Sequence, residues 1–427
     1  MTAPLDPDFP ETVAQLTTPH GPNVLSNLGD RLGASASTWD GRELEAFRAL
    51  KHAAEWQKRF LWPLRDDHER SCPICHPSMA SSQQVDLDMI EHLRKPVSRL
   101  RTASESSLCG LSDGRFLLEL ARLIRSDALD PRRKYFTRES TGDRQAAHYP
   151  GFVPSSSIPI PESSSPARPS SSEYSGSHAS VPLDEDQNDS RSRKAESLVR
   201  SLSAELFRLA LYQVLKQCHP KEEYCCRPES HVSTAFIAGK TIVGADDGGL
   251  CKKRLQSSSW TTIHPSLMAG ESKPASQKLF YDDRAEKYFP VLSIKAMAQV
   301  FGEAVTTWKQ YNNTVLFRDG VYSYICNGTF IRFFHFDFGS HYAEYLDALT
   351  ENTQRDLARN HPEGTCVRVS STKWLDLEKR EDLVLSICHI LTRVRLRDQE
   401  AGVELESTPE RMEMSSISSE SDGSIET

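Results

Sequence analysis

Apolar residues along the chain fall into blocks of two periods, separated by stretches with almost no apolar content. A helix repeats its buried face every three to four residues and a strand every two. Thr38 is a candidate N-cap with Asp40 in the first turn, and Leu44, Phe47, Leu50 and Ala54 follow at helical intervals, predicting a helix over 43–61. Leu87, Ile90, Leu93, Val97 and Leu100 predict a second over 86–101, and Phe116, Leu117, Leu120, Leu123 and Ile124 a third over 113–126. A long amphipathic helix over 194–217 carries Leu198, Val199, Leu202, Leu206 and Leu209 on one broad face. Ser293 caps another helix running to about residue 310, lined by Ile294, Met297, Phe301, Val305 and Trp308. Two more helical stretches fall near 341–349 and 375–396.

Strand-like runs are shorter. Residues 234–238 and 240–245 read as a hairpin about Gly239, closed by the turn Asp246-Asp247-Gly248-Gly249. SLMAGESKP, over 266–274, reads as the next strand, and 278–290 as a polar connection. Residues 313–318 and 321–326 flank Asp319-Gly320, and 329–338 follows Asn327-Gly328; both dipeptides favour hairpin turns.

Between these blocks, 1–38 reads as a loose tail, 150–193 as a disordered Ser/Pro linker and 399–427 as a disordered acidic, serine-rich tail. Such segments cannot bury enough apolar surface to offset their chain entropy. The remainder divides into a helical region over 39–149 and a mixed α and β domain over 194–398. Composition agrees with a diluted core: 38% of the 427 residues are hydrophobic, and mean hydropathy is -0.51. The net charge of -8 argues against global nucleic-acid binding, so such a role needs a local basic surface. The N-terminus lacks the apolar run of a signal peptide, and no run reaches the roughly 20 residues of a membrane helix. The expectation is an intracellular chain, nuclear or cytoplasmic, with no membrane partner and mostly reduced thiols. RSRK, at 191–194, is too short to act as a nuclear address. Protein partners are expected through the linker and the acidic tail.

Candidate chemistry concentrates in GESKP. On a strand, Glu271 and Lys273 share one face and Ser272 takes the other. A carboxylate can bind a hard divalent cation, and an ammonium beside it can hold the attacking water. The turn upstream offers Asp246 or Asp247, which differ by a one-residue slip that flips the face. Cys251-Lys252-Lys253-Arg254 is a compact basic cluster suited to a nucleic-acid backbone. Elsewhere, Cys72, Cys75 and His76 form CxxCH, with His68 as a further ligand candidate. Haem attachment fails on compartment. Zinc at Cys72, Cys75 and His76 is disfavoured because the second CxxC half is missing, leaving a turn with two ordinary thiols as the simpler reading. KQCHPKEEYCC, with Cys218, His219, Cys225 and Cys226, matches no standard metal spacing.

The order helix, strand, strand with Asp, strand with Glu-x-Lys, helix, strands resembles the core of the PD-(D/E)XK nuclease superfamily, the restriction-endonuclease-like fold. GAD at 244–246 stands where the family has Pro-Asp, and Glu271-Ser272-Lys273 matches Glu-x-Lys. The gap between Asp246 and Glu271 then requires an excursion around CKKRLQSSSW. A closer likeness is to the nuclease-like modules found N-terminal to a group of fungal kinase-like domains, where a strand like GESKP precedes a helix and strands ending like FIRFFHFDFGS. The kinase signatures themselves are absent. The likeness covers roughly 194–340.

The resemblance implies an α+β or α/β architecture: a mixed β-sheet flanked by helices, preceded here by the small helical region. It implies Mg²⁺ or Mn²⁺ bound by Asp246 and Glu271 with the carbonyl of Ser272, Lys273 as the water-orienting amine, and phosphodiester hydrolysis of nucleic acid held by Lys252, Lys253 and Arg254. Glu205 stands for the first-helix acid of many members, although at about 100° per residue it falls about 20° beyond the apolar stripe. Gln299 stands for the glutamine of some branches, although the helical wheel places it off the apolar face. A catalytically inactive module of the same fold is the alternative.

Overall fold

A computed structural model describes residues 8–18, 21–33, 35–61, 64–65, 69, 72, 74, 85–96, 100–126, 185–215, 221–274, 279–282, 287–311 and 320–407. The architecture is mixed α and β, with one large mixed sheet flanked by helices. The strands of that sheet are β3 (Ala49–Lys58), β4 (Glu222–Arg227), β7 (Gly249–Gln256), β8 (Ser259–Lys273), β11 (Val321–Asn327), β12 (Phe330–Phe338), β13 (Val367–Thr372) and β14 (Leu375–Asp376). Its order is β3-β13-β12-β11-β8-β7-β4, with β14 added on β12. The β3–β13 and β8–β11 pairs are parallel and the others antiparallel. Two short strands, β1 (Thr17–Thr18) and β2 (Gly21–Pro22), and two hairpins lie outside the sheet: β5 (Val232–Ile237) with β6 (Lys240–Ala245), and β9 (Leu279–Asp282) with β10 (Lys287–Pro290).

The centre of the sheet explains why β11 and β12 read so clearly. Every residue of β11 is buried, as are the first seven of β12. A strand covered on both faces loses its polar alternation and becomes a continuous apolar run. Gly270, in β8, is required by this packing: a Cβ there would lie 2.0 Å from the Tyr324 ring on the neighbouring β11.

The helices are α1 (Gly41–Ala46), α2 (Leu87–Arg94), α3 (Glu105–Cys109), α4 (Gly114–Arg125), α5 (Glu185–Arg208), α6 (Ile294–Tyr311), α7 (Tyr342–Asp347), α8 (Glu351–Asn360) and α9 (Arg380–Ser407). Ser293 caps α6, its Oγ accepting from Ala296 N at 3.1 Å. One π turn, Leu209–Val214, continues α5. One core cluster joins residues from Phe9 to Val394, so the N-terminal third and the sheet share an interior.

Several sequence expectations change. The region 1–38 is not a loose tail over its described residues: Phe9, Leu16, Val24, Leu25, Leu28 and Leu32 are buried. The helix over 43–61 stops after α1, and β3 replaces the rest, pairing in parallel with β13. Phe47 ends α1 and Arg48 takes a positive φ of 58°, so Leu50 and Ala54 follow a strand and not a helical stripe. The region 39–149 is therefore not a separate helical unit. CKKRLQSSSW is not an excursion; it is β7, a two-residue turn and the start of β8. Residues 279–282 and 287–290 are strands and not plain connection. Helix α5 begins at Glu185, inside the expected linker, and α9 reaches Ser407, inside the expected tail. The strand expected at 313–318, residues 127–184 and residues 408–427 lie outside the described residues.

Candidate active site

Glu271 and Lys273 stand on one face at the end of β8, as the period of two requires. Lys273 Nζ donates to Glu271 Oε1 at 2.5 Å and to Gln299 Oε1 at 2.9 Å. Gln299 Nε2 in turn donates to Glu303 Oε1 at 3.1 Å. Gln299 and Glu303 sit four apart on α6, so one helical face presents both to the strand end. The helix carrying them is held close on two sides. A Cβ at Gly302 would meet the Trp39 ring at 2.7 Å, and one at Gly244 the Thr306 hydroxyl at 2.3 Å.

The turn after β6 separates two neighbouring aspartates by function. Asp246 is buried and bound bidentately by Arg227, at 2.9 and 2.6 Å, and accepts from His231 N and Gly248 N. Its oxygens are committed to fastening the turn to β4. Asp247 faces the strand end instead: its N donates to Gly270 O at 2.8 Å and its Oδ2 accepts from Ser272 N at 3.0 Å. The charge of Asp247 acts on Glu271, and that of Asp246 on Glu303.

A second helix contributes a carboxylate. Glu196, on α5, interacts with the charges of Asp247, Lys273 and Arg200, and burial with Asp247 raises its pKa. Glu205 is placed elsewhere; it pairs with Arg208 one turn on. Nine residues separate them, two and a half turns of helix, so the acid at the site lies nearer the start of the helix. The basic cluster is only partly available. Lys252 is buried and paired with Glu222 at 2.8 Å, and Arg254 pairs with the same carboxylate. Lys253 is half-exposed on β7.

Electrostatics make this gap acid-rich. Glu271 is 3% exposed, and burial pushes its carboxyl up to about 7, with Asp247 adding to the rise and Lys273 opposing it. Burial, then the charge of Glu271, drives Glu303 well above the ordinary carboxyl range. Burial opposes the charge on Lys273, yet Glu271 outweighs it and the ammonium is held more firmly than usual. Several carboxyl groups share one low-dielectric gap, and the ammonium of Lys273 alone does not balance them all when ionised.

Among the described residues, no group of three or more His, Cys, Asp or Glu side chains forms a ready-made metal cluster. The oxygen donors nevertheless fit a hard cation. The Glu271 carboxylate is buried, with the carboxyl of Glu303 in hydrogen-bond reach and the charge of Asp247 close enough to raise its pKa. Hard divalent ions prefer such carboxylate oxygens.

Sequence reasoning missed Glu196 and Glu303. Glu303 had a legible signal, one turn beyond Gln299 on the same helix. Gln299 is buried, 8% exposed, where the helical wheel had set it outside the apolar face. The wheel marks one stripe, whereas α6 is buried from Ala296 to Thr307.

Comparison with known protein families, with curated proteins and with solved structures finds no match to this chain. No helix among the described residues is long and apolar enough to cross a membrane.

Proposed function

We propose that this chain has a PD-(D/E)XK-like core and that its site supports divalent-metal-dependent hydrolysis of phosphodiester bonds in nucleic acid. The observation that carries the reading is the gathering of Asp247, Glu271 and Lys273 at one strand end, with the Glu271 carboxylate buried. The sheet has the mixed pairing such a core requires, with Glu-x-Lys on a strand flanked by an antiparallel β7 and a parallel β11.

In this reading Glu271 and Asp247 hold Mg²⁺ or Mn²⁺, together with the carbonyl of Ser272, which stands between Glu271 and Lys273 in sequence. When bound, the metal polarises the phosphodiester and lowers the pKa of a water. Lys273 orients the attacking water and stabilises charge developing on the phosphoryl oxygens. Gln299 positions Lys273 without touching the reacting atoms, and Glu303 fixes the amide of Gln299. Glu196 extends the acidic rim towards the substrate side. Lys253 is the member of the basic cluster left to meet a phosphate backbone.

The test is incubation of the full chain with DNA and with RNA, in Mg²⁺ or Mn²⁺ and in chelator. Metal-dependent cleavage that Lys273→Ala abolishes supports the enzyme. A second reading, a catalytically inactive interaction module of the same fold, draws on Asp246 being committed to Arg227 and on Lys252 and Arg254 being neutralised by Glu222. Metal binding without cleavage of either polymer favours that module.

A further inference from the structure

The carboxyl groups of Glu196, Asp247, Glu271 and Glu303 bear on the gap beside β8. A phosphodiester is an anion, so its approach to these acids needs a cation with donors to spare. Lys273 is largely buried and already donates to Glu271 and Gln299. Arg200 is placed differently. It lies on α5 one helical turn after Glu196, so both side chains leave the same face of the helix. Its Nη1 stands 3.9 Å from Asp247 Oδ1, close enough to pair by charge and too far for a hydrogen bond. Its Nε is buried and meets no acceptor among the described residues, while the side chain as a whole is 37% exposed.

An arginine that braces a fold spends its donors. Arg227 does so, on Asp246, Pro265 and Glu229. Arg200 does not, and a buried N–H without an acceptor is unfavourable until one arrives. Lys273 and Arg200 are the cations whose charges act on Glu196, which puts this guanidinium at the rim of the gap. Lys252 and Arg254 share Glu222 instead, and Cys75 and His76 of the CxxCH motif lie outside the described residues. A planar guanidinium matches two oxygens of one phosphate group, a fit that an ammonium lacks.

We propose that Arg200 forms a phosphate subsite at the rim of the Glu271 and Lys273 gap, taking two non-bridging oxygens of a nucleic-acid phosphodiester on its guanidinium fork. The subsite rests on the hydrolytic reading of that gap and supplies the contact that draws an anionic polymer past its carboxyl groups. Asp247 holds the guanidinium by charge alone, so the donors stay open to an incoming phosphate. Arg200 binds the substrate and takes no part in breaking the bond.

The experiment is fluorescence anisotropy of the full chain with fluorescein-labelled DNA and RNA oligonucleotides, over a salt series in Ca²⁺, a hard cation that carboxylate oxygens hold as they hold Mg²⁺. Arg200→Ala should weaken binding about tenfold or more and reduce the slope of log affinity against log salt by about one. Arg359→Ala, which removes an exposed cation on α8, should do neither. Weakening with one polymer alone identifies that polymer as the substrate. Calorimetry should find Mg²⁺ bound at least as tightly by Arg200→Ala, since a cation beside Asp247 is gone; weaker Mg²⁺ binding makes Arg200 a support for Asp247 and overturns the subsite. Arg200→Lys keeps the charge without the fork, so it should keep the salt slope and lose affinity. Should Arg200→Ala fail to fold, Arg200→Lys decides, and full affinity in it overturns the subsite. An unaltered chain that binds neither polymer ends the hydrolytic reading and the subsite together, whereas binding that Arg200→Ala leaves equal ends the subsite alone.

Discussion

Gln299 holds Lys273 in place: its Oε1 accepts a hydrogen bond from Lys273 Nζ at 2.9 Å, while Lys273 also donates to Glu271. An amine with four rotatable carbons gains a fixed direction from two acceptors on different elements. Replacing Gln299 by Leu removes one acceptor and frees the partner Glu303. Stability should fall by about 1–3 kcal/mol, the usual cost of stranding buried polar groups. Any metal-dependent cleavage should fall more steeply in kcat than in KM. A denaturant melt and steady-state kinetics on the same preparation read both.

Two adjacent aspartates should give opposite phenotypes. Asp246→Asn breaks a buried bidentate pair with Arg227, so it should destabilise the fold by about 3–5 kcal/mol. Asp247→Asn keeps a carbonyl to accept from Ser272 N, so it should melt close to the unaltered chain but bind a divalent cation more weakly. Thermal denaturation and metal titration of the two variants side by side separate the structural acid from the ligand.

Gly270 tests the packing under the site. A Cβ there meets the Tyr324 ring at 2.0 Å, and that ring is fully covered by the core. Gly270→Ala should cost at least about 1–3 kcal/mol, the range for overpacking. Pairing it with Tyr324→Phe should recover little, because the added carbon also meets the ring itself, at 2.0 Å from its Cζ and 2.5 Å from its Cε1.

Stability should also depend on His264. Burial first, then the charges of Arg397, Lys252 and Arg254, depresses this imidazole from 6.5 to about 4, with Glu222 opposing. The unfolded chain therefore binds more protons than the folded one between those values. The contribution is complete above pH about 6.5 and is lost as pH falls towards 4. His264→Gln should flatten the stability profile over that window relative to the unaltered chain, as read from denaturant midpoints across pH.

Much of this architecture was legible in the pattern of apolar residues, and the losses have physical causes. The helix after Ser293 and the strands about Asn327-Gly328 read well because Ser293 caps a long buried helix and Asn327-Gly328 closes a hairpin of apolar strands. Residues 49–58 misled because Leu44, Phe47, Leu50 and Ala54 keep a helical interval across the positive φ of Arg48. β13 went unread because VRVSST buries three hydroxyl residues at its end, two of which accept hydrogen bonds from β12. Glu271 and Lys273 were legible from spacing alone. The different partners of Asp246 and Asp247 were not, since they turn on Arg227, nineteen residues upstream of Asp246, claiming one of them.

The central claim, that acids distant in sequence share one cation-sized gap with Lys273, is tested most directly by calorimetric titration of Mg²⁺ and Mn²⁺ into the full chain. The predicted result is saturable binding that Glu271→Gln removes while circular dichroism stays unchanged, and that Glu205→Gln leaves intact. No binding by the unaltered chain, or equal binding by Glu271→Gln, would contradict it.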